Sequence, residues 1–334
     1  MTKMKHLAIA AAFSAAALAS GSTFAAATII NPAGTVALGV NNFGELNTSV
    51  GSIVSNASST GLAYKFPDGS WRDATSPGCL CEGWGVSVNN SISGSANRDD
   101  GTVGLTLGSF TSTASTATST VSLSSLSGLT VTHAYAPATN ASSNLFVANV
   151  TISNNTGADV SNVKYVRVMD WDVPPTEFSE YVTIKGTATT TLLETSHDNG
   201  FASANPLAFT SPLNGATLNT DFTDNGPADH GAYFLFNFGT IADGDSYTFQ
   251  IFYGAAGSEA DAIAAIGAEG IELYSLGQSN GGQITGSPAT YIFGFSGVGG
   301  TPVVPTNPVP EAGSLTLLAL GMVGLPWLRR RRVR

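Results

Sequence analysis

The segment NLFVANVTISNNTGADVSNVKYVRVMDWDV, residues 144–173, determines the class of fold. In its first nine residues, successive side chains of an extended strand would point to opposite faces. Leu145 and Val147 then share one face, and Phe146, Ala148, Val150 and Ile152 share the other. Polar and small residues at 153–159 interrupt the run, and a second β-rich run follows. The segment therefore predicts two β-strands joined by a turn.

Further runs of β-branched and aromatic residues, each bounded by Gly, Asn, Asp or Pro, are typical of short strands. They are YVTI (181–184), GAYFLFNFG (231–239), DSYTFQIFYGAA (245–256) and YIFGFSG (291–297). Because amphipathic helices are nearly absent, we expect a mainly β protein, an antiparallel β-sandwich whose body covers 28–297 as one unit or as two packed subdomains. The Ser/Thr-rich stretch 108–128 is compatible with strands or with a flexible linker, and the β propensity of Thr favours strands.

One short helix is predicted in GSEADAIAAIGAEG, residues 257–270. Ser258 can cap its N-terminus, and Asp261 can complete a capping box. Gly267 or Gly270 would end the helix, since glycine is common just past helix C-termini.

The composition indicates an exported protein that does not bind nucleic acid. Only 11% of the 334 residues are charged, against about 25% in an average globular protein. The formal net charge is −10, and seven of the 13 basic residues lie at the two chain ends. Without those seven, 6 basic residues remain against 23 acidic residues, so the body carries about −17. Such a body would repel a phosphate backbone.

The N-terminus has the pattern of a secretory signal peptide, which we assign to residues 1–27. Lys3, Lys5 and His6 precede an apolar run at 7–18, and the small-residue segment GSTFAAA follows at 21–27. This order of charged, apolar and small residues predicts export and cleavage near Ala27.

The C-terminus predicts a membrane segment. Residues 312–328 are 17 mostly apolar residues, close to the minimum for a transmembrane helix, and five arginines follow them. Arginines favour the cytoplasmic side, which agrees with an exported body. The Gly- and Pro-rich stretch 298–309 is predicted to be an extended linker.

Pro310, Glu311, the apolar run and the terminal arginines resemble the PEP-CTERM sorting signal of exported proteins in Gram-negative bacteria that make extracellular polysaccharide. Ala312 stands where that family has a second proline. The resemblance covers residues 310–334. It implies transient anchoring in the inner membrane, processing by an exosortase-like enzyme, and delivery to the cell surface or extracellular matrix. The alternative is a plain C-terminal membrane anchor.

Cys79 and Cys81 in PGCLCEGWG are the only cysteines. In an oxidising compartment such a pair tends to form a disulfide, although the ring is small. Free thiols in a Gly-rich loop and a metal site remain alternatives.

Two acidic residues at a strand end, Asp170 and Asp172 in RVMDWDVPPTEFSE, suggest a cation site. In an extended strand both point to the same face, and paired carboxylates suit calcium, the only cofactor that the sequence suggests. The alternative is that they cap turns or remain solvated. Other acidic residues are interpreted mainly as turn residues: Asp221, Asp224, Asp229, Asp243 and Asp245.

No catalytic motif accompanies His133, His197 and His230, so we expect surface or turn histidines. The face of Tyr165, Arg167, Met169 and Trp171 could stack on sugars if exposed, but a buried central strand has the same pattern. The sequence thus predicts a non-enzymatic structural or adhesive protein whose partner is extracellular polysaccharide. The alternatives are a carbohydrate-binding module and a surface glycan-active enzyme.

Overall fold

The computed structural model describes residues 26–213, 216–280 and 289–304. In these ranges the chain forms strands β1 (Ala26–Ile30), β2 (Val36–Asn41), β3 (Leu62–Lys65), β4 (Trp71–Asp73), β5 (Gly83–Val88), β6 (Ile92–Asn97), β7 (Gly101–Val103), β8 (Leu105–Ser112), β9 (Ala117–Leu123) and β10 (Leu126–Pro137). It continues with β11 (Leu145–Asn154), β12 (Lys164–Trp171), β13 (Glu180–Lys185), β14 (Leu193–His197), β15 (Phe222–Ala228), β16 (His230–Asn237), β17 (Ser246–Ala256), helix α1 (Glu259–Glu269), β18 (Leu273–Ser279) and β19 (Thr290–Ser296).

The strands form three sheets in which all pairings are antiparallel. The four-stranded sheet has the order β1-β2-β3-β4, and the nine-stranded sheet has the order β15-β13-β18-β19-β17-β11-β10-β9-β8. The six-stranded sheet has the order β14-β16-β12-β5-β6-β7. The prediction of a mainly β, antiparallel fold with one helix is confirmed.

The six-stranded sheet packs face to face on the nine-stranded sheet, as in the predicted sandwich. The ring of Tyr165 on β12 lies 4.9 Å from that of Phe249 on β17, and the indole of Trp171 donates a hydrogen bond to Ser275 of β18 (3.0 Å). One apolar core includes residues of all three sheets. Tyr165, Arg167, Met169 and Trp171 are all fully buried and offer no exposed sugar-stacking surface.

A buried ion pair lies inside this core. Arg167 on β12 donates to Glu82, and both side chains are fully buried. The guanidinium also donates to the hydroxyl of Tyr135 and the carbonyl of Gly44 (3.2 Å each). Glu82 further accepts from Leu46 N (2.7 Å). These partners satisfy both charges, which is the condition for tolerating an ion pair in a low-dielectric interior.

Helix α1 begins and ends as its sequence predicts. Ser258 accepts a hydrogen bond from Asp261 N and donates one to its carboxylate, and Gly270 takes the left-handed conformation (φ 65°) at the C-terminus. The helix packs on the outer face of the nine-stranded sheet, where Ile266 joins Phe252 and Ile292 in a second apolar cluster. The Ser/Thr-rich stretch 108–128 contains parts of β8 and β10 and all of β9, so the strand interpretation is confirmed.

The segment after β19 is packed against the body rather than extended away from it. Val298 is fully buried, and Val303 N donates to Ile271 O (3.0 Å). The carboxylate of Glu272 accepts from the backbone N–H groups of Gly297, Val298 and Gly300 (2.9–3.0 Å). The predicted linker 298–309 is therefore fixed over its first residues.

The predicted signal peptide falls almost entirely outside the described residues, although Ala26 and Ala27 pair with β2. The sorting signal at 310–334, with Pro310 and Glu311, also lies outside them. In the described ranges, no helix is both long and apolar enough to cross a membrane.

Candidate metal site

Three acidic side chains meet where the two larger sheets adjoin. Asp170 is the penultimate residue of β12 in the six-stranded sheet, and Asp172 is the first residue after that strand. Asp229 is the single residue between β15, an edge strand of the nine-stranded sheet, and β16 of the six-stranded sheet. One carboxylate oxygen of each lies within 4.8 Å of one oxygen of the others. The structure thus brings the two predicted ligands together and adds a third.

Asp170 and Asp172 are buried, whereas Asp229 is exposed. The side chain of Asp172 has no hydrogen-bond partner on either oxygen among the described residues, and Oδ1 of Asp170 has none. No ion pair of the described residues includes any of the three. Buried carboxylates normally have donors around them, so these oxygens need either protons or a cation.

The pKa values of the clustered carboxyl groups agree with a requirement for protons or a cation. Burial, assisted by the charge of Asp229, raises the pKa of Asp170 to about 8. Burial and the neighbouring carboxylates of Asp170 and Glu180 raise the pKa of Asp172 to about 9. Burial also raises the pKa of Glu180 to about 8, although the N–H of His230 opposes the shift. A divalent cation would reverse these shifts, because it favours the ionised carboxylates.

Backbone glycines make room for the cluster. A side chain at Gly200 would place its Cβ 2.9 Å from Oδ1 of Asp170 and 2.6 Å from the Cα of Asp170. Gly78 takes the left-handed conformation (φ 74°), and a Cβ there would lie 3.4 Å from Oδ1 of Asp172. These two positions let the neighbouring loops approach the carboxylates closely.

In the structure, Cys79 and Cys81 form a disulfide next to this cluster. Sγ of Cys79 lies 3.3 Å from Oδ2 of Asp170. Because a disulfide sulfur carries no hydrogen, Cys79 cannot donate a hydrogen bond to Asp170 in this contact.

Two of the other acidic residues accept hydrogen bonds from backbone N–H groups. Asp221 accepts from Thr187 N (2.9 Å), and Asp243 accepts from Gly157 N (2.8 Å). The turn interpretation therefore fits Asp221 and Asp243. The turn interpretation of Asp229 does not predict that this residue lies close to Asp170 and Asp172. This proximity results from pairing between strands that are distant in the sequence. The only local signal is an acidic residue just before a strand.

The expectation that the histidines are surface or turn residues is wrong. His133, His197 and His230 lie in strands and are at most 1% exposed. His133 Nε2 hydrogen-bonds with the hydroxyl of Tyr165 (2.8 Å), His197 Nε2 with Thr210 (2.8 Å), and His230 Nδ1 with Asp198 (3.2 Å). When both faces of a strand are covered, its polar side chains are buried along with its apolar ones.

The fold and the site define an antiparallel β protein with a buried carboxylate cluster between two sheets. No protein-family model matches the chain, and a search of curated proteins finds no match either.

Proposed function

We propose that the chain is an exported surface or extracellular-matrix protein of a structural or adhesive kind, whose body binds calcium through Asp170, Asp172 and Asp229. The observation that supports calcium is the buried carboxylate of Asp172, which has no donor in the described part of the chain. Three carboxylates offer oxygen ligands only, which is the ligand type that calcium prefers. Asp229 is exposed and gives the ion a route from solvent.

The placement of the site favours a structural role for the ion. The carboxylates come from the end of β12 and from the connection between β15 and β16, so a bound cation would link the six-stranded sheet to the edge of the nine-stranded sheet. Calcium would then stabilise the contact between the two sheets at this end of the molecule.

The burial of these acids argues against the glycan-active alternative at this site. A glycosidase needs two carboxyl groups that both reach the sugar in a cleft. Asp170 and Asp172 are 2% and 0% exposed, and a sugar ring cannot reach them.

The signal-peptide pattern at the N-terminus and the PEP-CTERM-like tail support the proposed export and sorting. The Cys79–Cys81 disulfide supports an oxidising destination. An exosortase-like enzyme would release the protein from the inner membrane into a polysaccharide matrix, which is the proposed partner of the acidic body.

Calcium should raise the thermal stability of the oxidised protein, and the Asp170→Asn/Asp172→Asn double variant should lose this response. A ligand at 100 times its Kd stabilises the native state by about 2.7 kcal/mol. For a domain of this size that corresponds to a rise of several degrees in Tm, measured by calorimetry with calcium and with a chelator. The variant should be at least as stable as the chelated native protein, because it removes carboxylates that have no partner.

Asp245→Asn is the matched control, since Asp245 is an exposed acid of a turn far from the cluster. It should keep the full calcium response. An unchanged Tm of the native sequence with and without chelator would rule out the calcium site.

A further inference from the structure

The disulfide and the carboxylate cluster share one residue. Sγ of Cys79, Sγ of Cys81 and one oxygen of Asp170 lie within 4.8 Å of one another. Asp170 also belongs to the group with Asp172 and Asp229. Two sets of potential ligands, one with sulfur and one with oxygen only, therefore meet at Asp170.

The loop that carries the cysteines is held by contacts that do not involve sulfur. Leu80 N donates to the carboxylate of Asp99 (3.0 Å), and the amide of Asn97 donates to Cys81 O (2.9 Å). Glu82, the next residue, is fixed in the buried ion pair with Arg167. Breaking the disulfide would thus leave both thiols near Asp170.

Both cysteines are half-buried, so a small reductant can reach them. A dithiol that reduces the disulfide supplies two electrons and two protons, and it leaves as its own disulfide. The oxidised pair cannot act as thiolate ligands, whereas the reduced pair can release its two protons to solvent and bind a metal.

We propose that the reduced protein binds a thiophilic divalent cation through Cys79, Cys81 and Asp170. Thiolates select soft or borderline cations such as zinc and cadmium over calcium. The site would have three protein ligands and leave a coordination position for water or for a neighbouring carboxylate such as Asp172. The oxidation state of Cys79 and Cys81 then determines which cation binds beside Asp170: calcium when they form a disulfide, and a thiophilic cation when they are reduced.

The two sites should compete, because Asp170 contributes to both. By linkage, a thiophilic cation that binds only the reduced form also makes the disulfide easier to reduce. This competition rests on the proposed calcium site, whereas binding of the thiophilic cation does not.

The test is a cadmium titration of the folded protein without calcium, before and after treatment with a dithiol and its removal under anaerobic conditions. The cadmium–thiolate charge-transfer absorbance should appear only in the reduced protein and saturate at one cadmium per chain. Cys81→Ser should lose the saturable band. Asp170→Asn should keep the band but weaken cadmium binding by about tenfold or more, the loss expected when a ligand to the metal is removed.

Two controls decide whether the folded protein supplies the site. Asp245→Asn should bind cadmium like the native sequence. A peptide of residues 76–83 should bind clearly more weakly than the reduced protein, because it lacks Asp170 and the anchors of the loop. Equal affinity of peptide and protein, equal affinity of Asp170→Asn and the native sequence, or loss of the native circular dichroism on reduction would each overturn the proposal. The calcium dependence of the oxidised protein is measured separately, so failure of either site is distinguishable.

Discussion

Glu45 lies beside the buried Arg167–Glu82 pair but does not share its hydrogen bonds. Its side chain is 5% exposed, and its Oε2 has no hydrogen-bond partner among the described residues. Burial, with a smaller contribution from the charge of Glu82, raises the pKa of Glu45 to about 7. Because its carboxyl group is buried, Glu45 stays protonated up to nearly neutral pH.

Replacing Glu45 with Gln should therefore stabilise the protein at alkaline pH. The pKa of Glu45 is higher in the folded chain than its ordinary value of 4.5, so the native state binds more protons between pH 4.5 and 7. Its contribution to stability falls as pH rises through that window and is constant above it. Glu45→Gln should gain about 3 kcal/mol at pH 8 and nothing at pH 4, measured by urea unfolding at both values.

Glu259→Gln is the control for this comparison, because Glu259 is exposed in the first turn of α1. It should show no comparable gain at pH 8. A gain for Glu45→Gln that is equal at pH 4 and pH 8 would contradict the protonation argument.

The elements that could be predicted from the sequence are those determined by neighbouring residues. Both ends of α1 are set by residues within the helix and its caps, Ser258 and Gly270. The strand at 145–154 follows from its own alternation, and its even-numbered apolar residues from Phe146 to Ile152 are fully buried. The burial of His230 and the approach of Asp229 to Asp172 depend on which strands become neighbours, and no short stretch of sequence encodes that.

The N-terminal cap of α1 should contribute measurably to stability. Ser258→Ala removes the acceptor for Asp261 N and should destabilise the protein by about 1 kcal/mol. Chemical denaturation measures the change. Ser246→Ala, at the exposed start of β17, is the matched control and should cost less; an equal loss at both positions would mean that the cap contributes nothing specific.

The distribution of charge along the chain agrees with the proposed membrane topology. The acidic body contrasts with a tail that carries five of the 13 basic residues, and membrane insertion tends to leave arginines in the cytoplasm. The body itself ends in a fixed segment, because Glu272 holds residues 297–300. A processing enzyme at Pro310 and Glu311 would act a few residues beyond the last described residue, Val304.

Mature protein from the native host should lack the residues after about 312, as the resemblance of the tail implies. Glu311→Ala should retain the full-length chain in the inner membrane, because it changes the motif that the enzyme would recognise. C-terminal peptide mapping of membrane and surface fractions measures both. Glu259→Ala should be processed normally, and an intact arginine tail on surface-located protein would reduce the motif to a plain anchor.

The fixed segment after β19 also determines how the protein would respond to mechanical load. A pull on the chain beyond Val304 first reaches the contact between Val303 and Ile271 and then the three N–H groups held by Glu272. Gly299 O and Val298 O also accept from Thr191 N (3.2 Å) and Leu192 N (3.3 Å), and tension reaches β19 after these contacts yield. β19 is paired on one side with β18 and on the other with β17, near the middle of the nine-stranded sheet. Two hydrogen-bonded strand pairs that bear the load together resist sliding better than one edge strand that peels away. In a tethered molecule, the segment after β19 would therefore detach at low force while the nine-stranded sheet stays intact.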